Sequence, residues 1–308
     1  VRDPARWRRA VAALVERFRT HGRHWQIGQA INRSKWGAWT LDEYLRLARD
    51  AAAIVRDGDP HAEVLGPAVI DFELHVAMAV LNARRAPHFD ALAGLLYVDR
   101  RGQPENRQLG FDSVGKVLLQ QAIADTARRC DGRSWITEIN WPLWQGPHAP
   151  AGRSVAVDEQ RQADYLARFY LLALTTGQVE RVYWWRIVAR GYGLSFLDAD
   201  GNIARRPAFD ALRTLHAQLD GCVSLGSAAA PAGGHLLRFR RADGDEIWVG
   251  WRRDEADDGL AVSLPRPVRV VVEQDGGTAP LRADAQRLPL APSVRYAHLS
   301  PAAGADVD

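Results

Sequence analysis

At 308 residues the chain is long enough for two cores, and 47% hydrophobic with 25% charged residues are ordinary globular values. The net charge is only +3, and Lys35 and Lys116 are the sole lysines among 40 basic residues; the arginines are scattered among 37 acids, which argues against a nucleic-acid-binding face. No run of eighteen apolar residues exists, so no membrane span is expected, and two distant cysteines and nine histidines without zinc spacing imply no metal or organic cofactor.

Asp3-Pro4 reads as an N-cap followed by proline at the first helical position, and Trp7, Val11, Leu14, Val15 and Phe18 continue at helical spacing. Short apolar strands are then expected at Trp25–Gly28, Val64–Ile70, Ala91–Val98, Trp135–Ile139 and Val182–Val188. Helices separate them at Leu41–Val55 (opened by a Thr40-x-x-Glu43 capping box), Phe72–Ala83, Asp112–Arg129 and Asp158–Thr176, with Pro207–Leu219 after the last. Such alternation specifies a parallel sheet with crossover helices. From residue 221 short strands follow at His235–Arg240, Glu246–Trp251, Leu260–Leu264, Val268–Glu273, Leu288–Leu290 and Val294–His298, so residues 221–308 are expected to form a β-sandwich with a frayed tail. Residues 1–220 hold five strands where a closed α/β barrel needs eight. Either further strands lie outside this sequence and these residues are a partial (β/α)8 TIM-type barrel, or the sheet is open and doubly wound; the opening Val1-Arg2 without Met favours the first expectation.

The segment Ser134-Trp-Ile-Thr-Glu138-Ile-Asn-Trp141 sets a carboxylate at the C-terminal end of a buried strand among tryptophans. That end of a parallel barrel is where active sites form. Enzymes that cleave sugars need carboxylates there, together with aromatic faces for the C–H surface of a pyranose. A strand-end glutamate bonded to neighbouring loops, with the tryptophans as core, is the plainer alternative.

Several motifs resemble clan A glycoside hydrolases, especially family 39-like enzymes, over most of the chain. Thr137-Glu138-Ile-Asn140-Trp141 is similar to their T-E-x-G-W seventh strand. Tyr183-Trp184-Trp185, Gly193–Gly201 and Arg206-Pro-Ala-Phe209 resemble the eighth strand and its loop, and Val249-Gly-Trp251 and Pro292–Tyr296 resemble their C-terminal β-domain. The resemblance implies a retaining hydrolase of O-glycosidic bonds with Glu138 as nucleophile, and it places Trp141, Trp184 and Trp185 against the sugar. It breaks at the fourth strand. Family members read I-G-N-E-P-N there, whereas this chain reads Ile27-Gly28-Gln29-Ala30-Ile31-Asn32, followed by Trp36. Ala30 stands where the general acid/base belongs, and Gln29 stands where an asparagine binds the sugar 2-hydroxyl; Asn32 and Trp36 keep the sugar-facing character of the loop.

Candidate substitute acids are Glu73 after the second strand, and Asp99 and Glu105 in the loop after the third. Tyr97 is expected at the active-site rim, and Arg100 is suited to an acidic sugar. The leading expectation is a glycoside hydrolase or transglycosylase acting on a bacterial poly- or oligosaccharide. A carbohydrate-binding pseudoenzyme is the alternative, and a structural half-barrel that assembles with another chain is a third reading. Compartment and oligomeric state are not legible.

Overall fold

The computed structural model describes residues 3–36, 40–98, 102–144, 155–280 and 285–300. They fall into two compact units, one of residues 1–99, 108–139 and 178–184, the other of residues 100–107, 140–177 and 185–308. The first unit runs through α1 (Pro4–Phe18), β1 (His24–Gln26), α2 (Leu41–Gly58), β2 (Glu63–Ile70), α3 (Leu74–Asn82), β3 (Ala91–Leu95), α4 (Ser113–Thr126) and β4 (Ser134–Ile139). After α5 (Glu159–Thr175), which belongs to the second unit, it closes with β5 (Arg181–Trp184). The anticipated caps form: Asp3 accepts from the Arg6 N–H, and Thr40 and Glu43 make a reciprocal box.

The five strands form one parallel sheet in the order β1-β2-β3-β4-β5, as the alternating pattern requires. It is strongly curved. Strands β1 and β4 lie three positions apart, about 14 Å in a flat sheet, yet the His24 and Trp135 rings meet at 4.9 Å between centroids. This is the sheet of a partial barrel. Its outer face packs on the helices through Val64, Val69, Phe89 and Leu92 against Val11, Val15, Tyr44, Ala48, Val55, Val80 and Ile123. The strand expected at Ala91–Val98 stops at Leu95, where the Tyr97 N–H turns back to the Leu95 carbonyl. The strand expected to reach Val188 stops at Trp184, and the Trp185–Arg186 peptide is cis.

The second unit continues from α5 through the hairpin β6 (Ser195–Leu197) and β7 (Ile203–Arg205) to α6 (Pro207–Leu219). Its strands are β8 (Val223–Ser227), β9 (Gly234–Arg240), β10 (Glu246–Arg252), β11 (Ala261–Ser263), β12 (Val268–Glu273), β13 (Thr278–Ala279), β14 (Arg287–Pro289) and β15 (Arg295–Leu299). Six of them form an antiparallel sheet in the order β13-β12-β15-β10-β9-β8. The β11–β14 ribbon packs Val262 and Leu288 against Leu236, Trp248, Val271 and Ala297 of that sheet, giving a small sandwich.

The compact division does not follow the expected boundary at residue 220. Helices α5 and α6 pack on each other, and α5 also packs on β8. The guanidinium of Arg168 on α5 is fully buried, ion-paired with Glu105 and, at 2.8 Å, with Asp254. Breaking such a cluster would strand buried charge, so α5 is bound to the β-rich unit. Among the described residues no helix is long and apolar enough to cross a membrane.

Candidate active site

Glu138 is the penultimate residue of β4, 8% exposed. Trp135, three residues earlier, reaches His24 on β1, and Glu138 reaches Gln29 just beyond β1. Residues an odd number apart on a regular strand face opposite sides. The pairing of β4 with β5 shifts register between Ile136 and Ile139, and this irregularity lets both side chains face the concave side.

The Glu138 carboxylate accepts two short bonds, from the Tyr97 hydroxyl to Oε1 at 2.5 Å and from the Gln29 amide to Oε2 at 2.5 Å. Gln29 is itself oriented: the Gln26 amide donates at 2.9 Å both to Gln29 Oε1 and to the Gly28 carbonyl. A flipped Gln29 would face two oxygens toward each other at one end and two amide nitrogens at the other, so the chain Gln26–Gln29–Glu138 fixes the direction of every amide. The backbone that presents Gln29 depends on Gly28, at φ 105°. A β-carbon there would lie 2.7 Å from Ile31 Cγ2 and 3.3 Å from the Pro67 carbonyl. Tyr44 braces the same turn from α2, its buried hydroxyl donating to the Ile27 carbonyl at 2.7 Å.

A second polar group sits at the ends of β1 and β2. Asn32 pairs its amide with the backbone of Ile70, donating to the carbonyl and accepting from the N–H at 3.0 Å each, and donates to Glu73 Oε2 at 2.8 Å. Arg33 bridges Asp71 and Glu73 at 2.7 Å each. Burial pushes the Glu73 carboxyl up, but the bonds from Asn32 and Arg33 outweigh it and hold Glu73 below the usual carboxylate range. These bonds favour the ionised form of Glu73, which speaks against it as a substitute acid.

The remaining sequence candidates separate. Ala30 is fully buried at φ 45°, in a turn closed by the Arg33 N–H on its carbonyl. Trp36 is 53% exposed in the single helical turn after Arg33, with the Lys35 ammonium 5.1 Å above its ring. Trp184 is buried at the end of β5, paired in register with Ile139.

Other candidates lie in the second unit. Trp141 is fully buried, donates to the Gly102 carbonyl at 2.9 Å and packs edge-on against Tyr165 and Phe169, so it is a core residue there and not a sugar platform. Trp185 is half-buried and packs on Tyr192. Glu105 is turned inward: it takes two bonds from Arg168 and one from the Trp251 indole at 2.7 Å, which leaves no free acid. Asp99 and Arg100 lie outside the described residues. The sequence reading missed Gln26 and Arg33, which carry no motif; only their spacing from Gln29 and Asn32 could have drawn attention to them.

No protein-family model matches the sequence, and no curated protein matches it. Solved structures do. A glucosidase from Croceicoccus marinus is similar at 16% identity over 98% of this chain and 76% of its own, with a TM-score of 0.62. A GH39 enzyme from Xanthomonas axonopodis pv. citri follows at 15% identity, 97% and 74% coverage and 0.60. A GH39 β-xylosidase from Caulobacter crescentus gives 16%, 96% and 72%, and 0.60. The fold is thus shared with these glycosidases, a partial TIM-type barrel with a β-sandwich.

Proposed function

We propose that the chain carries the nucleophile half of a retaining glycoside hydrolase site, acting on O-glycosidic bonds of an oligo- or polysaccharide. The observation that carries the reading is the environment of Glu138, whose hydrogen-bond donors among the described residues, a phenol and a carboxamide, are both uncharged. Neutral donors orient a carboxylate without cancelling its charge, as an arginine would. Its negative charge stays available to an anomeric carbon that becomes positive in the transition state. In the first step Glu138 bonds to that carbon while the glycosidic bond breaks and its electron pair leaves with the departing oxygen. In the second, water attacks the same carbon, loses its proton to solvent and releases the carboxylate. The similar solved structures include a glucosidase and a β-xylosidase, which supports a glycoside as substrate.

The acid that would protonate the departing oxygen has no candidate among the described residues, since Ala30 is a buried methyl and both Glu73 and Glu105 are engaged. General acid help is worth about 10²–10⁴-fold. The chain should therefore hydrolyse glycosyl fluorides, glucosyl and xylosyl first, and be slower by about that factor on methyl glycosides. Glu138→Gln should abolish both activities. Retention of activity in Glu138→Gln would overturn the assignment. Saturable oligosaccharide binding with turnover of neither substrate would instead establish the carbohydrate-binding reading, which the Ala30 position favours.

A further inference from the structure

The amide bonds that reach Glu138 take their direction from one backbone atom. A side-chain amide can be turned end for end, but a backbone carbonyl only accepts. The Gly28 carbonyl accepts from Gln26 Nε2 at 2.9 Å, so the NH2 end of Gln26 must face it. The second N–H of the same nitrogen meets Gln29 Oε1 at 2.9 Å, which leaves Gln29 Nε2 for Glu138 Oε2. The anchoring turn is fixed in its own right. The Ile27 N–H donates to the Leu65 carbonyl at 2.9 Å, Tyr44 donates to the Ile27 carbonyl, and Gly28 at φ 105° takes a conformation that residues with a β-carbon rarely adopt.

The direction matters to a carboxylate. An amide N–H facing Glu138 favours its ionised form, the form that attacks an anomeric carbon, whereas an amide oxygen facing it would favour the protonated form. The two ends of the Gln29 amide differ little in shape, so packing does not choose between them. Gln26 does. With Gln29 reversed, the Gln26 N–H would point at an NH2 group, and Gln29 Oε1 would point at a carboxylate oxygen.

Resting on the glycoside-hydrolase reading of Glu138, we propose that Gln26 is a positioning residue for the nucleophile: it sets the orientation in which Gln29 keeps Glu138 charged and aimed. Its amide nitrogen bonds Gln29 and the backbone rather than Glu138, so its whole effect on the carboxylate passes through Gln29.

A double-mutant cycle of Gln26→Met and Gln29→Met tests this, read on hydrolysis of a glycosyl fluoride and on the side-chain amide NMR signals of Gln29. Gln26→Met should lower kcat by about three- to tenfold, the usual worth of one neutral hydrogen bond, with KM little changed and the acid limb of the pH profile moved to higher pH. In the Gln29→Met background the same substitution should move neither kcat nor the acid limb. An equal loss in both backgrounds would mean that Gln26 merely supports the turn, and would overturn the inference while leaving the hydrolase reading standing. The amide signals need no turnover. In wild type the Gln29 NH2 protons should lie downfield of a free glutamine amide and shift back along with protonation of Glu138; signals at the free position, or identical in wild type and Gln26→Met, refute the relay. Fluoride hydrolysis undiminished in Glu138→Gln, or absent in wild type, would remove the hydrolase reading itself, and the Gln29 signals would then still decide whether Gln26 orients Gln29.

Discussion

Arg168→Met is the substitution whose cost can be worked most fully. The side chain is wholly buried on α5, and its guanidinium makes every bond to another side chain: Nε and Nη2 to Glu105, Nη2 to Gln103 at 2.9 Å, and Nη1 to Asp254 at 2.8 Å. Methionine preserves much of the stem's packing and removes the charge. Glu105, itself buried, would then keep only the Trp251 indole as donor. Removing one partner of a buried ion pair costs about 3–5 kcal/mol, a large part of the 5–15 kcal/mol that holds a domain folded. Adding Glu105→Gln should restore part of the loss, because the amide oxygen can still accept from Trp251 and no charge remains stranded on that residue. Urea unfolding followed by tryptophan fluorescence measures both variants. A loss below about 1 kcal/mol in Arg168→Met, or no recovery in the double variant, would show that the charges are solvated and the argument from burial wrong.

Two further substitutions test other parts of the structure. Leu109→Asn should raise stability by about 0.5–1 kcal/mol, since asparagine tolerates the left-handed backbone at φ 53° and the leucine gives up no buried contact; a lower denaturation midpoint would contradict the turn geometry. Asp164 is buried on α5, and although Ser293, Gln274 and Gln160 all donate to its Oδ1, burial raises its carboxyl above the ordinary range. Its stabilising contribution is therefore complete below the ordinary carboxyl range, near pH 4, and is lost as pH rises through the raised folded value. Asp164→Asn keeps the accepting oxygen and should flatten that loss, with a higher Tm than wild type at pH 7 and near parity at about pH 3.5; parity at both would refute it.

Five parallel strands and most helices were legible because buried strands and amphipathic helices write their periods directly into the residues, as at Ala91–Leu95 and Leu41–Gly58. The ribbon β6–β7 and strands β8 and β13 were not: they are short, or as exposed as Val223 and Ile203, and carry no alternating signal. Trp141 and Glu105 misled for a shared reason. An aromatic and an acid beside a strand end look the same whether they face a sugar or the interior, and that choice is made by partners such as Arg168, Tyr165 and Phe169, distant in sequence. Glu138 lies on a strand whose register shift cannot be read from Trp135-Ile-Thr-Glu138, so its direction was accessible only by resemblance.

The two carboxylates at the ends of β4 and β2 are treated in opposite ways, and under the proposed function the difference separates their roles. Glu138 is held by a phenol and an amide, Glu73 by an amide and a guanidinium. A proton donor must carry a proton near neutral pH, and an adjacent cation works against that. Arg33→Met should release Glu73 from its lowered range and move it up toward the ordinary glutamate value, which carboxyl ¹³C titration can follow. A carboxyl lowered by folding contributes stability that is present above its unfolded pKa and lost as pH falls through the folded one. The wild type should therefore lose stability on acidification below about pH 4.5, and Arg33→Met should lose less over the same interval. A Glu73 titration unmoved by the substitution would mean that Asn32 alone holds the carboxylate, and that the Arg33 bridge to Asp71 and Glu73 is a surface contact of no consequence for the charge state of the site.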